Sequence, residues 1–249
     1  MNARSTSYLS KAQQVAQELL DRIVESRKQP GETFATEAEL LRTFGVSRPT
    51  LREGIRILEA QGLLEQRPGP GGGLVIRRPS LDMLALNLSI YLRFNDVPFL
   101  PVLQAREIIE PALAAEAAES GSEDDFREMA ESIERMKAEG HNQETFLAEN
   151  RIFHSIVARA SGNKVLETFW GAISLLAHGE LHGMRYTTGN RQHVTAAHQQ
   201  ILDACRKRDR AAAAAAMSSH VGELEHLLRG RFKHLLRQPM NVHDQRGTR

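Results

Sequence analysis

Between residues 8 and 25 the apolar side chains Leu9, Ala12, Val15, Ala16, Leu19, Leu20 and Ile23 return every three or four positions. That spacing puts them on one side of a helix, which Pro30-Gly31 closes. A second, shorter helix is announced by Thr36-Glu37-Ala38-Glu39: the Thr36 hydroxyl can cap the Glu39 amide while the Glu39 carboxylate reaches back. Leu40, Leu41 and Phe44 supply its apolar side, and Gly45 ends it in a tight turn. Ser47 suits the N-cap of a third helix, and Pro49 is tolerated in a first turn whose amides lack intrahelical partners. Leu51, Ile55 and Leu58 face inward, and Gly62 stops the helix. Two short strands follow at 63–66 and 74–77, joined by the flexible tip Arg67-Pro68-Gly69-Pro70-Gly71-Gly72-Gly73.

Beyond residue 78 the pattern is helical throughout. Helices are expected near 81–93, 98–119, 123–138, 143–160, 164–182, 191–207 and 210–236. Ser80, Ser122 with Asp125, Asn142 and Asp209 mark starts, and Pro98, Gly121, Gly140, Gly162 and Gly189 mark breaks. The expected fold class is mainly α: three N-terminal helices with a small β-hairpin, then an all-α helical bundle. The expected boundaries are 1–78, 79–238 and a polar, disordered tail at 239–249.

Composition narrows the function classes. The chain has 249 residues, 41% hydrophobic and 25% charged, which is ordinary for a folded protein and excludes a mostly disordered one. No apolar stretch is long enough to span a bilayer, and the N-terminal segment lacks a signal core. The single cysteine, Cys205, cannot form an internal disulfide. These features together predict a cytoplasmic protein without a membrane partner. The net charge of +1 hides an asymmetry: residues 1–78 hold 12 basic and 9 acidic residues, and the remainder 20 and 22. The first part can therefore approach a polyanion. All ten histidines lie at or beyond His141, so any metal or proton chemistry of theirs belongs to the second part.

Two short helices joined at Gly45, the second rich in arginine, form a helix-turn-helix pattern. Once Leu51 and Ile55 are buried, Arg48, Thr50, Arg52 and Arg56 occupy exposed faces. Arginine can bridge two acceptors on guanine or clamp a phosphate. Ser47 and Thr50 can meet phosphate oxygens at the helix N-terminus. The alternative is a small helical bundle with solvated arginines. The runs Pro30-Gly31, Thr36-Glu37-Ala38-Glu39-Leu40, Phe44-Gly45-Val46-Ser47-Arg48, Leu51-Arg52-Glu53 and Leu58-Glu59-Ala60-Gln61-Gly62-Leu63 closely resemble the winged helix-turn-helix of GntR-family transcription regulators. That resemblance implies contact with double-stranded operator DNA through Ser47, Arg48, Thr50 and Arg52, with the wing at Gly69 and Gly71. It also marks a departure: Ala38 stands where some members carry an arginine.

In the second part Asn150 and His154 share one face of a helix at i, i+4. His198 and His220 lie on two later helices. Three imidazoles and an oxygen donor from a bundle can hold a divalent metal, but histidines so far apart are more often satisfied or exposed residues without one. His178 and His182 are also i, i+4, yet the spacing of a metalloprotease motif is absent. Arg106 either faces a pocket or pairs on the surface with Glu110 at i+4. Trp170 with Phe169 is read as core, as is Cys205.

The segments Arg106-Glu107-Ile108-Ile109-Glu110, Asn150-Arg151-Ile152-Phe153-His154, Ala160-Ser161-Gly162-Asn163, His198, Asp209 and His220 resemble the FadR-type branch with an all-helical, FCD-like ligand-binding domain. That resemblance implies a metal site at Asn150, His154, His198 and His220, holding zinc, nickel or manganese, with Asn150 where metal-containing members carry Asp. It implies that Arg106 binds a small carboxylate effector and that the chain pairs as a homodimer. The expected function is a ligand-responsive regulator, a repressor, not an enzyme, with a hinge at 77–80. The competing readings are a metal-dependent enzyme fused to a DNA-binding domain, and a helical domain that only dimerises.

Overall fold

The computed structural model describes residues 9–69, 72–139, 142–180 and 186–231. The chain divides into two compact units, Met1–Met83 and Leu84–Arg249.

The first unit runs α1 (Lys11–Ser26), β1 (Thr33–Ala35), α2 (Glu37–Phe44), α3 (Arg48–Ala60), β2 (Leu64–Arg67) and β3 (Gly73–Ile76). Helix α1 begins later than the apolar spacing suggests. Ser10 and Gln13 form a reciprocal cap there, which leaves Leu9 outside the helix and 48% exposed. The Thr36–Glu39 box caps α2, and Gly45 closes it in the left-handed conformation at φ 60°. Ser47 caps α3 by accepting from the Thr50 amide. Val15, Ala16, Leu19 and Ile23 of α1 then pack with Leu51, Ile55 and Leu58 of α3 around the sheet residues Leu64, Leu74 and Ile76. Gly54 lets α1 and α3 close together: a Cβ there would meet Val15 Cγ1 at 2.7 Å. The sheet has three antiparallel strands in the order β1-β3-β2, with Leu64 opposite Ile76 and Arg67 opposite Gly73. Strand β1 escapes the sequence pattern because three residues are too few to alternate, and its partner β3 is distant in the chain.

The second unit is helical among the described residues: α4 (Leu81–Phe94), α5 (Leu100–Ser120), α6 (Glu123–Glu139), α7 (Gln143–Ala160), α8 (Lys164–Glu180), α9 (Thr188–Arg206) and α10 (Arg210–Arg231). The anticipated caps form. The Ser80 hydroxyl accepts from Met83, Ser122 and Asp125 cap each other, Asn142 accepts from Glu144 and Thr145, and Asp209 accepts from Ala212. Helix α9 starts three residues earlier than expected because Thr187 caps it. One core joins Leu113, Phe126, Met129, Ile133, Phe153, Val157, Ile201 and Met217 from five of these helices. Ion pairs on its flank tie α7 to α6, with Arg159 donating to both Asp125 and Glu128.

One apolar assignment needs correction, and one apolar residue is unexpectedly open. Ile108 on α5 is 76% exposed, and the buried side of that helix includes Val102, Leu103, Glu110 and Leu113. Phe169 is 54% exposed, whereas its neighbour Trp170 is core. Among the described residues no helix is long and apolar enough to cross a membrane. The tail at 239–249 and the end of the last helix beyond Arg231 lie outside the described residues.

Candidate functional site

On the first unit the candidate nucleic-acid face is the start of α3. The Ser47 side chain sits 2.8 Å from the Thr50 hydroxyl, and both stand at the free-amide end of the helix. Arg48 occupies the first helical position and is exposed. Arg52 is exposed but not free: its Nε donates to both Glu37 carboxylate oxygens, at 3.0 and 3.1 Å, across the turn between α2 and α3. Ala38 is exposed beside Glu37 and offers no charge. Gly69 lies exposed at the hairpin tip with φ 101°, a conformation a Cβ would strain. Gly71 lies outside the described residues.

In the second unit three histidines from three helices meet. His154 of α7, His198 of α9 and His220 of α10 are buried, and their ligand-capable atoms all lie within 4.8 Å of one another. The His220 Nε2 is 3.1 Å from His154 Nε2 and 3.2 Å from His198 Nε2. One imidazole nitrogen offers a single proton or a single lone pair, so His220 can satisfy one of these two neighbours, not both. Phe153 stacks on the His198 ring at 3.9 Å and fixes its plane. Burial, reinforced by the neighbouring imidazoles, holds the His198 pKa well below its ordinary value. The same causes, partly opposed by Glu110, bring His220 down to about 3. Both rings are therefore neutral and available as lone-pair donors.

A cation at the centre would complete all three nitrogens at once. Zinc bonds of about 2.0–2.1 Å at tetrahedral angles separate ligand nitrogens by about 3.4 Å, close to the two spacings that His220 makes. The donor set thus fits a borderline divalent ion. Asn150 stands one turn before His154 on α7 and is half-buried.

Arg106 and Glu110 extend this cluster. Arg106 Nε donates to Glu110 Oε1 at 2.5 Å, and Glu110 Oε2 lies 2.6 Å from His154 Nδ1. The side chains of Arg106 and Glu110 are 13% and 1% exposed, so this is not the surface pair that i, i+4 spacing also allows. Burial pushes the Glu110 carboxyl up, but Arg106 and His154 outweigh it and hold the pKa well below the carboxylate range. Sequence reasoning named Glu110 only as a partner for Arg106. The available signal was a carboxylate between Ile109 and Leu113 on a helix face that must bury.

His193 stands near enough to His220 to act on it electrostatically, and it lies 2.6 Å from Glu223, a partner the sequence did not suggest. His182 and the side chain of His178 lie outside the described residues. Cys205 is fully buried, and burial, opposed by Arg208, pushes its thiol up to about 11. It is core, not a nucleophile.

Comparison with known proteins bears on both regions. A family profile described as bacterial regulatory proteins, gntR family, matches residues 11–74, and an FCD domain profile matches residues 101–223. The Uxu operon regulator of Haemophilus influenzae is 30% identical over 201 residues, covering 77% of this chain and 71% of the relative. The HTH-type transcriptional regulator LutR of Bacillus subtilis is 27% identical, covering 82% and 94%. The galactonate operon transcriptional repressor of Escherichia coli is 29% identical, covering 81% and 89%. Among solved structures, Streptococcus agalactiae GntR superposes with a TM-score of 0.72 at 25% identity, covering 87% of this chain and 99% of that one.

Proposed function

Since this chain belongs to the GntR family of bacterial transcription regulators, in the branch with a C-terminal FCD domain, we propose that it is a repressor of a metabolic operon. In this reading it senses a small carboxylate through a divalent ion in its helical unit. The observation that carries the sensing half is the convergence of three buried histidine nitrogens beside the Arg106–Glu110 pair.

His154, His198 and His220 would hold the ion, with Asn150 as a neutral oxygen donor. The ion would supply a Lewis-acidic anchor for a carboxylate. Arg106 contributes directional recognition. Its guanidinium carries five N–H donors in a plane, and Glu110 engages it through Nε, so the forked end suits a second carboxylate. The Escherichia coli relative is named for a galactonate operon, and galactonate is a sugar carboxylate. The named relatives are transcription regulators, not enzymes, which leaves the enzyme reading without support.

On the DNA side, Ser47 and Thr50 position the α3 terminus on phosphate, while Arg48 and Arg52 meet base edges or phosphate. The hairpin tip at Gly69 forms the wing. The functional assembly is a homodimer presenting two such helices to a palindromic operator. The FCD unit, 79–238 in this reading, carries effector binding and pairing, and 1–78 carries DNA binding. Effector binding changes operator affinity only if the ligand favours one arrangement of the dimer over another.

The test is metal content per chain of untagged protein purified without chelators, with a His198→Ala/His220→Ala variant beside it. Close to one ion per chain that disappears in the variant supports the reading. A metal-free protein that stays so after exposure to zinc, nickel and manganese overturns it.

A further inference from the structure

We propose that Glu110 is the anionic member of the metal site, acting on the ion through the His154 ring and compensating for the carboxylate missing at Asn150. This rests on the metal reading above and goes one step further, to the source of the site's negative charge.

Three neutral imidazoles and an amide bring no negative charge to a divalent ion. A buried dication left uncompensated is unfavourable. Glu110 is the carboxylate placed to offset it. It is 1% exposed and reaches His154 from the Nδ1 side, opposite the Nε2 that converges with the other two histidines. The carboxylate sits off the ideal N–H direction of the ring, but a negative charge 2.6 Å from Nδ1 favours the tautomer that carries its proton there. With that proton on Nδ1, the neutral ring presents a bare lone pair at Nε2. A carboxylate on the far nitrogen also makes the ligating nitrogen more basic, the arrangement of a carboxylate–histidine–metal triad.

Two features make this specific to Glu110. Arg106 holds its other oxygen, so the carboxylate is oriented by a partner on its own helix. Among the described residues neither the His198 nor the His220 ring has a carboxylate at ion-pair distance, as His154 has in Glu110. The charge therefore enters the site most directly through His154. The side chain one turn before His154 is the neutral Asn150, on the same helix whose histidine Glu110 supports. A carboxylate at position 150 would act on the ion directly; Glu110 acts from behind the ring.

The experiment measures zinc affinity by competition with a chelating dye for the full-length protein and for Glu110→Gln, Asn150→Asp and the double variant. Melting curves of the metal-free forms establish that each is folded. Glu110→Gln keeps an oxygen acceptor but removes the charge, and is expected to weaken zinc binding by about 10–100-fold. Asn150→Asp in the Glu110→Gln background is expected to restore most of that loss, and to gain less in the unaltered background. Unchanged affinity in Glu110→Gln overturns the inference, as does failure of Asn150→Asp to recover any of the loss in the Glu110→Gln background. Failure of the unaltered protein to bind zinc, nickel or manganese overturns the metal reading itself, and the Glu110 inference with it.

Discussion

The two units place function in opposite ways. The first presents polar side chains outward from one short stretch, residues 47–52, on a helix whose other face is core. The second gathers polar side chains inward from α5, α7, α9 and α10, across separations such as the 66 residues between His154 and His220. Arg48 is exposed and Arg52 is held only by its ion pair with Glu37, so these arginines can be lost at little cost to the fold. A buried imidazole loses water on folding and requires a partner. The second unit cannot change its cluster without disturbing the packing around it.

The largest expected effect separates the units cleanly. His198→Ala/His220→Ala should lower the metal content from about one ion per chain to none, removing the response to carboxylates while leaving ligand-free DNA binding intact. Metal analysis and operator titration on one preparation check both halves. Arg48→Ala/Arg52→Ala should do the reverse. Each lost base contact costs about 1–3 kcal/mol, so specific operator affinity should fall roughly thirtyfold or more. Metal content should not change.

Acidification should act on the second unit. The His220 pKa falls from 6.5 in the unfolded chain to about 3 in the folded one, and that of His198 is lowered in the same direction. Between those values the unfolded chain binds protons that the folded chain refuses. Stability of the chelated protein is therefore expected to be level above about pH 6.5 and to fall as pH drops toward 3. Melting temperatures of chelated protein at several pH values test this, with His220→Ala expected to flatten the slope. Gly54→Val acts on the first unit: its side chain would strike Val15 where α1 and α3 meet, costing about 1–3 kcal/mol. Thr36→Ala removes the α2 cap, with an expected loss of about 1 kcal/mol measured by denaturant unfolding.

The same contrast explains what the sequence pattern reveals. Helix starts are local, so Thr36, Ser47, Ser122, Asn142 and Asp209 announce them within three residues of chain. The helix-turn-helix is equally local. Strand β1 is not: it forms because β3, some 40 residues on, supplies its hydrogen bonds. Ile108 and Phe169 are apolar yet exposed, because periodicity assigns a face to a helix without saying what covers it. At the metal site, type and spacing pick out His154, but no short-range rule joins it to His198 and His220. Only the packing of α7, α9 and α10 does so. Glu110 is further hidden because its i+4 relation to Arg106 looks like a surface pair and its second partner is 44 residues away.

The measurement that bears most directly on the account is operator affinity as a function of added carboxylate, for metal-loaded and chelated protein in parallel. The operator is a fragment selected from random DNA, and the probes are small hydroxy-carboxylates, galactonate among them. The account predicts that at least one probe changes operator affinity by about 5–150-fold in the metal-loaded protein and leaves the chelated protein unaffected. An equal response in the chelated protein, or operator affinity indifferent to every probe with the metal in place, would contradict it.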